Sequence, residues 1–422
     1  MNTQESGSTT EKPEEFGKQK KLGFIAAWLG WAFDGLDGFM YTLVAIPLVA
    51  KLMAMPGTDQ AVKDKAALIQ AVFLVGWALG GAVFGRIGDA IGRTKTLNLT
   101  ILFYAAFTGL CFFATEWWHL LIFRFLAALG IGGEWAAGAA LVGETVPQRL
   151  RHWASALLQS GYMFGMILAA LTVRGLAGVE HKYIFLIGVL PALFTLWIRR
   201  AVPEPEEWVN NKATQVMPKV SELFGRQVLP TTLKVLAMST ITLLGAWTIL
   251  YFGPGLIRSH VENKGLAKRD LDILVSNGTI LFTVVNIAGN FFMAFVTQKV
   301  GYRRGFIFAL SAALFVFVFG FSQDRTLASS QVWISAAAFF GLGVFGAFPL
   351  YFPMLFPTLL RTTGAGFCYN AGRLITAAGT FSAASLIPRE TFYYAGFLYI
   401  PAILLAFFMP EVKQSQEEIV AA

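Results

Sequence analysis

The chain contains 422 residues, of which 56% are hydrophobic and 14% are charged, with a formal net charge of +8. A soluble domain carries about a quarter charged residues, and its interior is too small to hide the 39 phenylalanines of this chain. The composition therefore excludes an ordinary soluble protein and predicts a protein embedded in a bilayer.

Apolar stretches long enough to cross a membrane, roughly 20 residues each, recur along the whole chain. The N-terminal residues before them are polar and contain no apolar core ahead of a cleavage site, so we expect no cleavable signal. The predicted fold class is an all-α membrane protein with twelve transmembrane helices. The predicted spans are 22–51, 66–85, 96–115, 117–141, 152–174, 183–198, 232–257, 271–297, 304–322, 330–356, 362–387 and 391–409.

Lysine and arginine are unevenly distributed between the connections on the two sides of these spans. With the N-terminus in the cytoplasm, the cytoplasmic connections hold the larger share of the 33 Lys and Arg residues, as the positive-inside rule requires. Both termini are therefore predicted to be cytoplasmic, and the protein is expected to be a multi-pass component of the cell (inner) membrane. Because topology explains the net positive charge, no nucleic-acid partner is expected.

The chain repeats itself around its longest polar connection, which separates six predicted spans from six. Three patterns return about 210 residues later, an internal duplication of the kind that transporters use to expose a midplane site to each side in turn. The repeated pairs are Gly85–Arg93 with Ala294–Arg303, Pro147–Arg151 with Pro357–Arg361, and Pro203–Glu204 with Pro410–Glu411. The predicted divisions are a cytoplasmic tail 1–21, a first six-helix half 22–198, a cytoplasmic linker 199–231, a second six-helix half 232–409 and a cytoplasmic tail 410–422.

The first of these patterns forms the short connection between spans two and three. Gly85 and Gly92 allow two helices and a loop to approach closely. Asp89 can cap a helix start, and Arg93 can pair with an acid of a neighbouring helix. We interpret the pattern as a latch that closes the cytoplasmic side. The alternative is a positively charged loop that only sets the topology.

Span one carries two carboxylates, Asp34 and Asp37, three residues apart on one helix face and near the middle of the span. A charge at that depth costs at least ~2.5–3.5 kcal/mol. These acids must therefore face a polar cavity, pair with a cation or carry a proton. Proton coupling is the preferred hypothesis, and a hydrogen bond to a neighbouring helix is the alternative for either residue.

Arg373 is the corresponding cation in span eleven, which contains no acid of its own. A guanidinium stays protonated and binds a carboxylate through forked hydrogen bonds, so Arg373 is predicted to bind an anionic ligand. The alternative is a structural ion pair with Asp34 or Asp37, and the two interpretations are compatible if the ligand competes with an acid.

Span four contributes two more charges, Arg124 and Glu134. Arg124 is expected near the extracellular end and partly solvated. Glu134 is a candidate proton site, although membership of the cytoplasmic charge network is the favoured interpretation. Other polar and aromatic residues are candidates for substrate binding, with helix–helix hydrogen bonding as the alternative role of each. These candidates are Asn370, Tyr251, Trp247, Asn277, Gln159 and Tyr162.

The connection between spans two and three resembles the hallmark motif of the major facilitator superfamily, and the resemblance extends over nearly the whole chain. It implies that superfamily's fold, and it adds Glu144 and Arg151 to the residues of the cytoplasmic gate. In the second half, Gln298 and Tyr302 depart from the motif. The motifs that carry the resemblance are Gly85-x-x-x-Asp89-x-x-Gly92-Arg93, Arg124 with Gly130, Gly132, Gly133 and Glu134, and Glu144-x-x-Pro147-x-x-x-Arg151.

Two further patterns resemble the organic-acid branch of this superfamily, which includes sialate:proton symporters, monocarboxylate permeases and aromatic-acid:proton symporters. They are Asp34-Gly-x-Asp37 in span one and the segment from Phe356 to Gly372 around spans ten and eleven. The resemblance implies proton-coupled uptake of a carboxylate, and the buried acids and arginine indicate the same class.

We therefore expect a secondary active transporter that carries a small organic anion, either lactate- or pyruvate-like or sialate, together with a proton by alternating access. An aromatic-acid:proton symporter and a sugar or polyol facilitator are the alternatives, followed by a nutrient sensor. A membrane enzyme is disfavoured because the four histidines lie at span edges and form no cluster with acids. No catalytic residue, metal or cofactor other than the coupling proton is predicted, and a monomer in the lipid bilayer is expected.

Overall fold

The structure is a computed structural model that describes residues 17–411 apart from 177–178, 215–218, 261–262, 264, 358–359 and 384–386. The regular elements of this described part are all helical. The α-helices are α1 Lys18–Leu52, α2 Gln60–Ile91, α3 Arg93–Cys111, α4 Trp117–Thr145, α5 Arg151–Gly175, α6 Ile184–Ile187, α7 Pro191–Ala201, α8 Glu206–Thr214, α9 Leu229–Trp247, α10 Gly253–Ser259, α11 Lys268–Val300, α12 Tyr302–Phe321, α13 Leu327–Ala337, α14 Phe348–Met354, α15 Arg361–Ala383, α16 Pro388–Gly396 and α17 Tyr399–Ala406.

Within the described residues, eight stretches are helical, long and apolar enough to cross a membrane: Lys18–Leu52, Gln60–Ile91, Trp117–Thr145, Arg151–Gly175, Leu229–Ser259, Arg269–Val300, Tyr302–Phe321 and Leu327–Met354. The other four predicted spans coincide with helices that are shorter, interrupted or more polar, namely α3, α6 with α7, α15, and α16 with α17. The helical class is confirmed, while the count of twelve spans and the cytoplasmic termini stay predictions. The terminal tails lie almost wholly outside the described residues.

Two of the spans contain irregular turns near their middle. A π-helical turn, Thr248–Phe252, joins α9 to α10. A π-helical turn, Ala338–Leu342, and a 3₁₀ turn, Gly343–Gly346, separate α13 from α14. Such turns widen or tighten the helix locally and often mark functional sites. The distortion between α13 and α14 begins before the prolines of α14.

Glycines determine how closely the helices of the first half pack. A side chain at Gly80 would collide with the backbone carbonyl of Leu129, and one at Gly165 would collide with that of Ala32. The backbones of α2 and α4, and of α1 and α5, are therefore in direct contact. Gly81 instead faces the side chain of Asn370, so the adjacent face of α2 receives α15 of the second half. This contact brings the two halves together at the candidate site.

Candidate functional site

A small cavity of about 40 Å³ lies between the two halves. This volume admits only a few water molecules, so the centre of the bundle is contracted around it. Helices α1, α2 and α5 contribute the wall of the first half, and α9 and α15 contribute most of the wall of the second. The lining residues that bear polar or aromatic groups are Trp31, Trp77, Gln159, Tyr162, Trp247, Phe345, Tyr369 and Arg373. We call this space the central cavity.

Arg373 places a buried positive charge in the wall of the central cavity. Its guanidinium lies 4.1 Å from the ring centre of Trp77 and 4.6 Å from that of Tyr369, and it donates a hydrogen bond to Asn370 Oδ1. No carboxylate of the described residues lies within salt-bridge distance, so the alternative ion pair with Asp34 or Asp37 is not formed. Aromatic faces and an amide stabilise the cation only partly, which leaves it suited to an anionic ligand.

An aromatic cage surrounds this cation. The ring centres of Trp31 and Tyr162 lie 5.0 Å apart, and those of Trp77 and Trp247 lie 6.5 Å apart. The ring of Trp135 in the first half stacks on that of Tyr369 in the second half, with 4.2 Å between the ring centres. Within the described part of the chain, the indole N–H groups of Trp31, Trp77 and Trp135 find no acceptor. The cage therefore combines flat apolar surfaces with unused hydrogen-bond donors.

Beside the cage, the carboxyl groups of Asp34 on α1 and Glu134 on α4 are neighbours. Both side chains are almost completely inaccessible to solvent, with 0% and 1% exposed. Gly30 permits this approach, because a side chain there would collide with the Glu134 carboxylate. No described residue donates a hydrogen bond to any of the four oxygens. Glu134 thus lies beside Asp34 and not, as expected, in the charge network of the gate.

The second acid of span one, Asp37, has a complete set of partners. Arg124 Nη1 donates to Asp37 Oδ2 at 2.8 Å, and the hydroxyl of Thr108 donates to Oδ1 at 2.7 Å. The guanidinium of Arg124 also lies 4.3 Å from the ring centre of Phe73 and is fully buried. The expectation that Arg124 is partly solvated was therefore wrong, because its charge is compensated inside the bundle and needs no water.

The connection between α2 and α3 forms a buried ionic network at one end of the bundle, which we call the motif end. Arg93 bonds Asp89 at 3.0 Å and both oxygens of Glu144 at 2.8 and 3.1 Å. Asp89 in turn accepts hydrogen bonds from the backbone N–H of Thr363, at 3.1 Å, and from its hydroxyl. Gly85 lies against the carbonyl of Thr362. The predicted latch residues therefore do connect the two halves at this end.

The linker after α7 adds contacts that the sequence patterns did not indicate. Glu204 accepts hydrogen bonds from the backbone N–H groups of Thr94 and Lys95 at 3.2 and 3.0 Å, and so caps the start of α3. Trp208 of α8 donates to the carbonyl of Asp89 at 3.0 Å. The linker thus holds the connection that carries the latch.

Two predicted binding residues lie away from the central cavity. Tyr251 lines a larger cavity of about 630 Å³ at the end opposite to the motif end, which we call the vestibule. Tyr251 lies within the π-helical turn that follows Trp247, and the two residues line different cavities. Asn277 lies near the start of α11 and accepts a bond from Arg174 at 3.4 Å. Gln159, Tyr162, Trp247 and Arg373 do line the central cavity, and Asn370 contacts Arg373.

Four aromatic residues of the cage were not among the predicted binding residues: Trp31, Trp77, Trp135 and Tyr369. A usable signal was present in the sequence. Tryptophan in membrane helices is enriched at the two water interfaces, so the three tryptophans in the middle of spans one, two and four were unusual.

Comparison with known proteins agrees with this architecture. The profile of the Major Facilitator Superfamily matches residues 27–267, and that of "Sugar (and other) transporter" matches residues 206–421. The sialic acid transporter NanX of Escherichia coli (strain K12) is 30% identical over 89% of this chain and 88% of its own length. The niacin transporter NiaP of Acinetobacter baylyi is 25% identical over 92% of each chain.

Solved structures show the same fold. The proton:xylose symporter XylE bound to 6-bromo-6-deoxy-D-glucose superimposes with a TM-score of 0.75 over 96% of this chain and 98% of its own, at 18% identity. The partially occluded inward-open form of XylE from E. coli gives 0.73 at 15% identity, over 95% and 100% of the two chains. The family profiles and the 30% identical relative, which is a transporter, show that the protein is a membrane transporter and not an enzyme. It belongs to the major facilitator superfamily.

Proposed function

We propose that this protein carries a small carboxylate together with a proton into the cell by alternating access, with the motif end facing the cytoplasm. The observation that supports this most directly is Arg373, a buried cation in a cavity between two related halves. An anion bound there would contact both halves at once, as a substrate of a rocking transporter must. Relatives that carry sialic acid and niacin support an organic acid as the substrate class.

The neighbouring carboxyl groups of Asp34 and Glu134 are the proposed proton site. Both are buried without a donor from the described residues, and a proton shared between them would supply the missing hydrogen bond and remove one negative charge. Asp37 is less suited to this role, because Arg124 and Thr108 hold it as an anion. Of the three acids expected to couple the proton, we therefore favour the pair that lacks a cation.

The proton and the substrate are linked through the charge of Arg373. Asp34 lies close enough to Arg373 for their charges to interact. When the carboxyl pair holds a proton, Arg373 is attracted less to Asp34 and binds the carboxylate of the substrate more strongly. After the motif end opens, loss of either ligand weakens the binding of the other. Coupling of this kind is reciprocal.

The shape of the cage favours one kind of carboxylate. Three indoles and two phenols form most of the polar or aromatic wall, and Gln159 is the one amide among its lining residues. A polyhydroxylated acid such as sialate needs many hydrogen-bond partners, whereas a flat acid can stack between rings. We therefore favour the aromatic-acid alternative, with benzoate as a test substrate, over lactate and sialate.

The test of the anion site is uptake of radiolabelled benzoate by purified protein in liposomes with an inward proton gradient. Arg373→Gln should raise KM by a factor of ~30 or more, because it removes one partner of a buried charge pair worth at least ~2 kcal/mol. The control is Arg304→Gln, which removes an exposed arginine at the surface and should leave uptake unchanged. Normal uptake by Arg373→Gln would place the anion site elsewhere.

The proton site needs a different measurement. Asp34→Asn and Glu134→Gln should abolish gradient-driven accumulation, while exchange of labelled for unlabelled benzoate at equal pH continues. A protonophore should abolish accumulation by the unmodified protein. If accumulation survives the protonophore, transport is not proton-coupled, and this conclusion does not depend on the result for Arg373→Gln.

A further inference from the structure

The two halves meet mainly along two seams, one between α2 and α15 and one between α5 and α11. The duplication relates these seams to each other, since Asn286 follows Trp77 by about 210 positions and Arg373 follows Met163 by a similar interval. The contact of Trp77 with Arg373 therefore has a counterpart in the second seam, where an amide meets a thioether. There Asn286 Nδ2 donates to Met163 Sδ at 2.7 Å. Arg373 and Met163 both line the central cavity, so the second seam bounds this cavity on the side opposite to the cation.

The side chains of the second seam face each other in a fixed register. His152 on α5 contacts Thr297 on α11 with 3.1 Å between Nδ1 and Oγ1. The amide–thioether contact lies eleven residues from this one on each of the two antiparallel helices, and eleven residues are about three turns. Both contacts therefore lie on one face of each helix. Gln159 and Asn290 lie on the same faces, each seven residues or about two turns from the His152 contact, and so stand opposite each other.

Asn290 is a buried amide without a side-chain partner in the described part of the chain. The residue is 0% exposed, and neither Oδ1 nor Nδ2 forms a hydrogen bond there. Its backbone lies against Gly346, where an added side chain would approach the carbonyl oxygen of Asn290 to 2.7 Å. The residue before this glycine, Phe345, lines the central cavity. An unpaired buried amide is unfavourable, so its position directly behind the cavity wall points to a role in ligand binding.

Gln159 connects this amide to the central cavity, because it lines the cavity and stands opposite Asn290. A primary amide has two donor positions and an oxygen with two lone pairs. Gln159 can therefore bond Asn290 on one side and a ligand on the other. Arg373 is in the opposite wall, so a flat acid whose carboxylate binds Arg373 directs the far end of its ring toward the two amides.

We propose that Gln159 forms a hydrogen bond with a polar group of the substrate opposite its carboxylate, and that Asn290 is a positioning residue that orients the amide of Gln159. The substrate is then an aromatic acid with a hydrogen-bonding group in the para position, such as 4-hydroxybenzoate. This inference rests on the proposed function and narrows its substrate class. An apolar group of the same size would leave both amides without partners, so the site discriminates against it.

The test compares 4-hydroxybenzoate with 4-methylbenzoate, whose methyl group is close to the hydroxyl in size but forms no hydrogen bond. Dissociation constants are measured by isothermal titration calorimetry with purified protein in lipid nanodiscs. The hydroxy acid should bind more tightly by a factor of ~10, which corresponds to one satisfied hydrogen bond. Gln159→Met and Asn290→Leu should each reduce this preference to less than about threefold. A purely structural role of Asn290 would weaken the binding of both acids equally and leave the preference unchanged.

The matched control is Ser155→Ala. Ser155 is also buried on α5 without a partner for its hydroxyl among the described residues, but it lies one turn from Gln159 and does not line the central cavity. This substitution should leave the preference for the hydroxy acid unchanged.

The outcomes separate this inference from the proposed function. Equal affinity for the two acids, or a preference that survives Gln159→Met and Asn290→Leu, would overturn the inference, while uptake that depends on Arg373 and on the proton gradient would still support the proposed function. A preference that requires both amides, without accumulation driven by a proton gradient, would support the amide site and contradict the proposed coupling. Binding of neither acid would contradict both.

Discussion

The two halves of the molecule build the same connection with different side chains. Gly92 before α3 and Gly301 before α12 both have positive φ angles, 120° and 85°. In each half an acid far along the chain caps the helix that follows, Glu204 for α3 and Glu411 for α12. The repeated Pro-Glu pairs of the sequence therefore have a structural role that applies to both halves: they satisfy the first backbone N–H groups of a membrane helix.

The side chains next to these caps differ in kind. In the first half, Arg93 forms an ionic network with Asp89 and Glu144. At the corresponding position of the second half, Tyr302 stacks on Tyr351 at 4.5 Å and on His152 at 5.0 Å. An ionic network depends strongly on each of its members, whereas an aromatic stack loses only packing when one ring changes. Both connections therefore share the backbone cap, and among the described residues the ionic network is found at the connection between α2 and α3.

The largest effect should follow from removal of the central cation of that latch. Arg93→Gln removes the cation that bonds the buried carboxylates of Asp89 and Glu144 and should lower the free energy of unfolding by ~3–5 kcal/mol. The measurement is a titration with sodium dodecyl sulfate in mixed micelles. The neutral triple variant, with Asp89→Asn and Glu144→Gln added, should recover much of the loss. Similar losses for the single and triple variants would mean that packing, and not charge, dominates this connection.

A smaller effect, which distinguishes the halves, should follow from a methyl group at each glycine. Both positive φ angles are unfavourable for alanine, at a cost of about 1–3 kcal/mol each. Gly92→Ala should cost more than Gly301→Ala, because its methyl group would collide with the carboxylate of Glu204, whereas Glu411 lies 3.0 Å from the corresponding position. Unfolding of the two single variants under identical conditions tests this order. Equal losses of unfolding free energy would indicate that the capping carboxylate moves aside equally easily in both halves.

The features of the fold and of the candidate site that could be predicted from the sequence were those formed by residues close together in the chain. The apolar stretches predicted the long helices, and the latch motif and the arginine of span eleven were visible as patterns. Helix α15 is long but too polar to satisfy the composition expected of a span, because it lines the centre of the bundle and carries Arg373 and Asn370 there. A hydropathy scan finds helices that face lipid, so it detects poorly a helix such as α15, which lines the centre of the bundle.

Pairings between distant residues could not be predicted from one sequence. The partners of Asp37 and Asp34, which are Arg124 and Glu134, are set by how deeply α4 lies beside α1. A shift of α4 by one turn, about 5.4 Å, would break at least one of these pairings. The misplacement of Tyr251 has a local origin instead, because Tyr251 lies in a π-helical turn whose side chains point in other directions than those of a regular α-helix.

Glu204 and Glu411 cap the starts of α3 and α12 in the same way, so their substitution should have the same effect in both halves. Glu204→Gln and Glu411→Gln each keep an oxygen acceptor but lose the charge that two backbone N–H groups share. Each should lower the free energy of unfolding by roughly 0.3–1 kcal/mol, which is the usual value of an acid at a helix N-terminus. A loss confined to Glu204→Gln would show that the second cap is dispensable and that the duplication preserved only its sequence.

The smallest effect is expected at the aromatic counterpart of the latch. The contacts of Tyr302 described above are made by its ring, so Tyr302→Phe should change the free energy of unfolding by less than ~0.5 kcal/mol. The matched control is Tyr351→Phe in the same stack, because the hydroxyl of Tyr351 donates to the carbonyl of Pro410 at 2.6 Å. Its loss should cost ~1 kcal/mol. A large effect of Tyr302→Phe would show that the second half also depends on a polar contact at this position, and the contrast between an ionic and an aromatic connection would then fail.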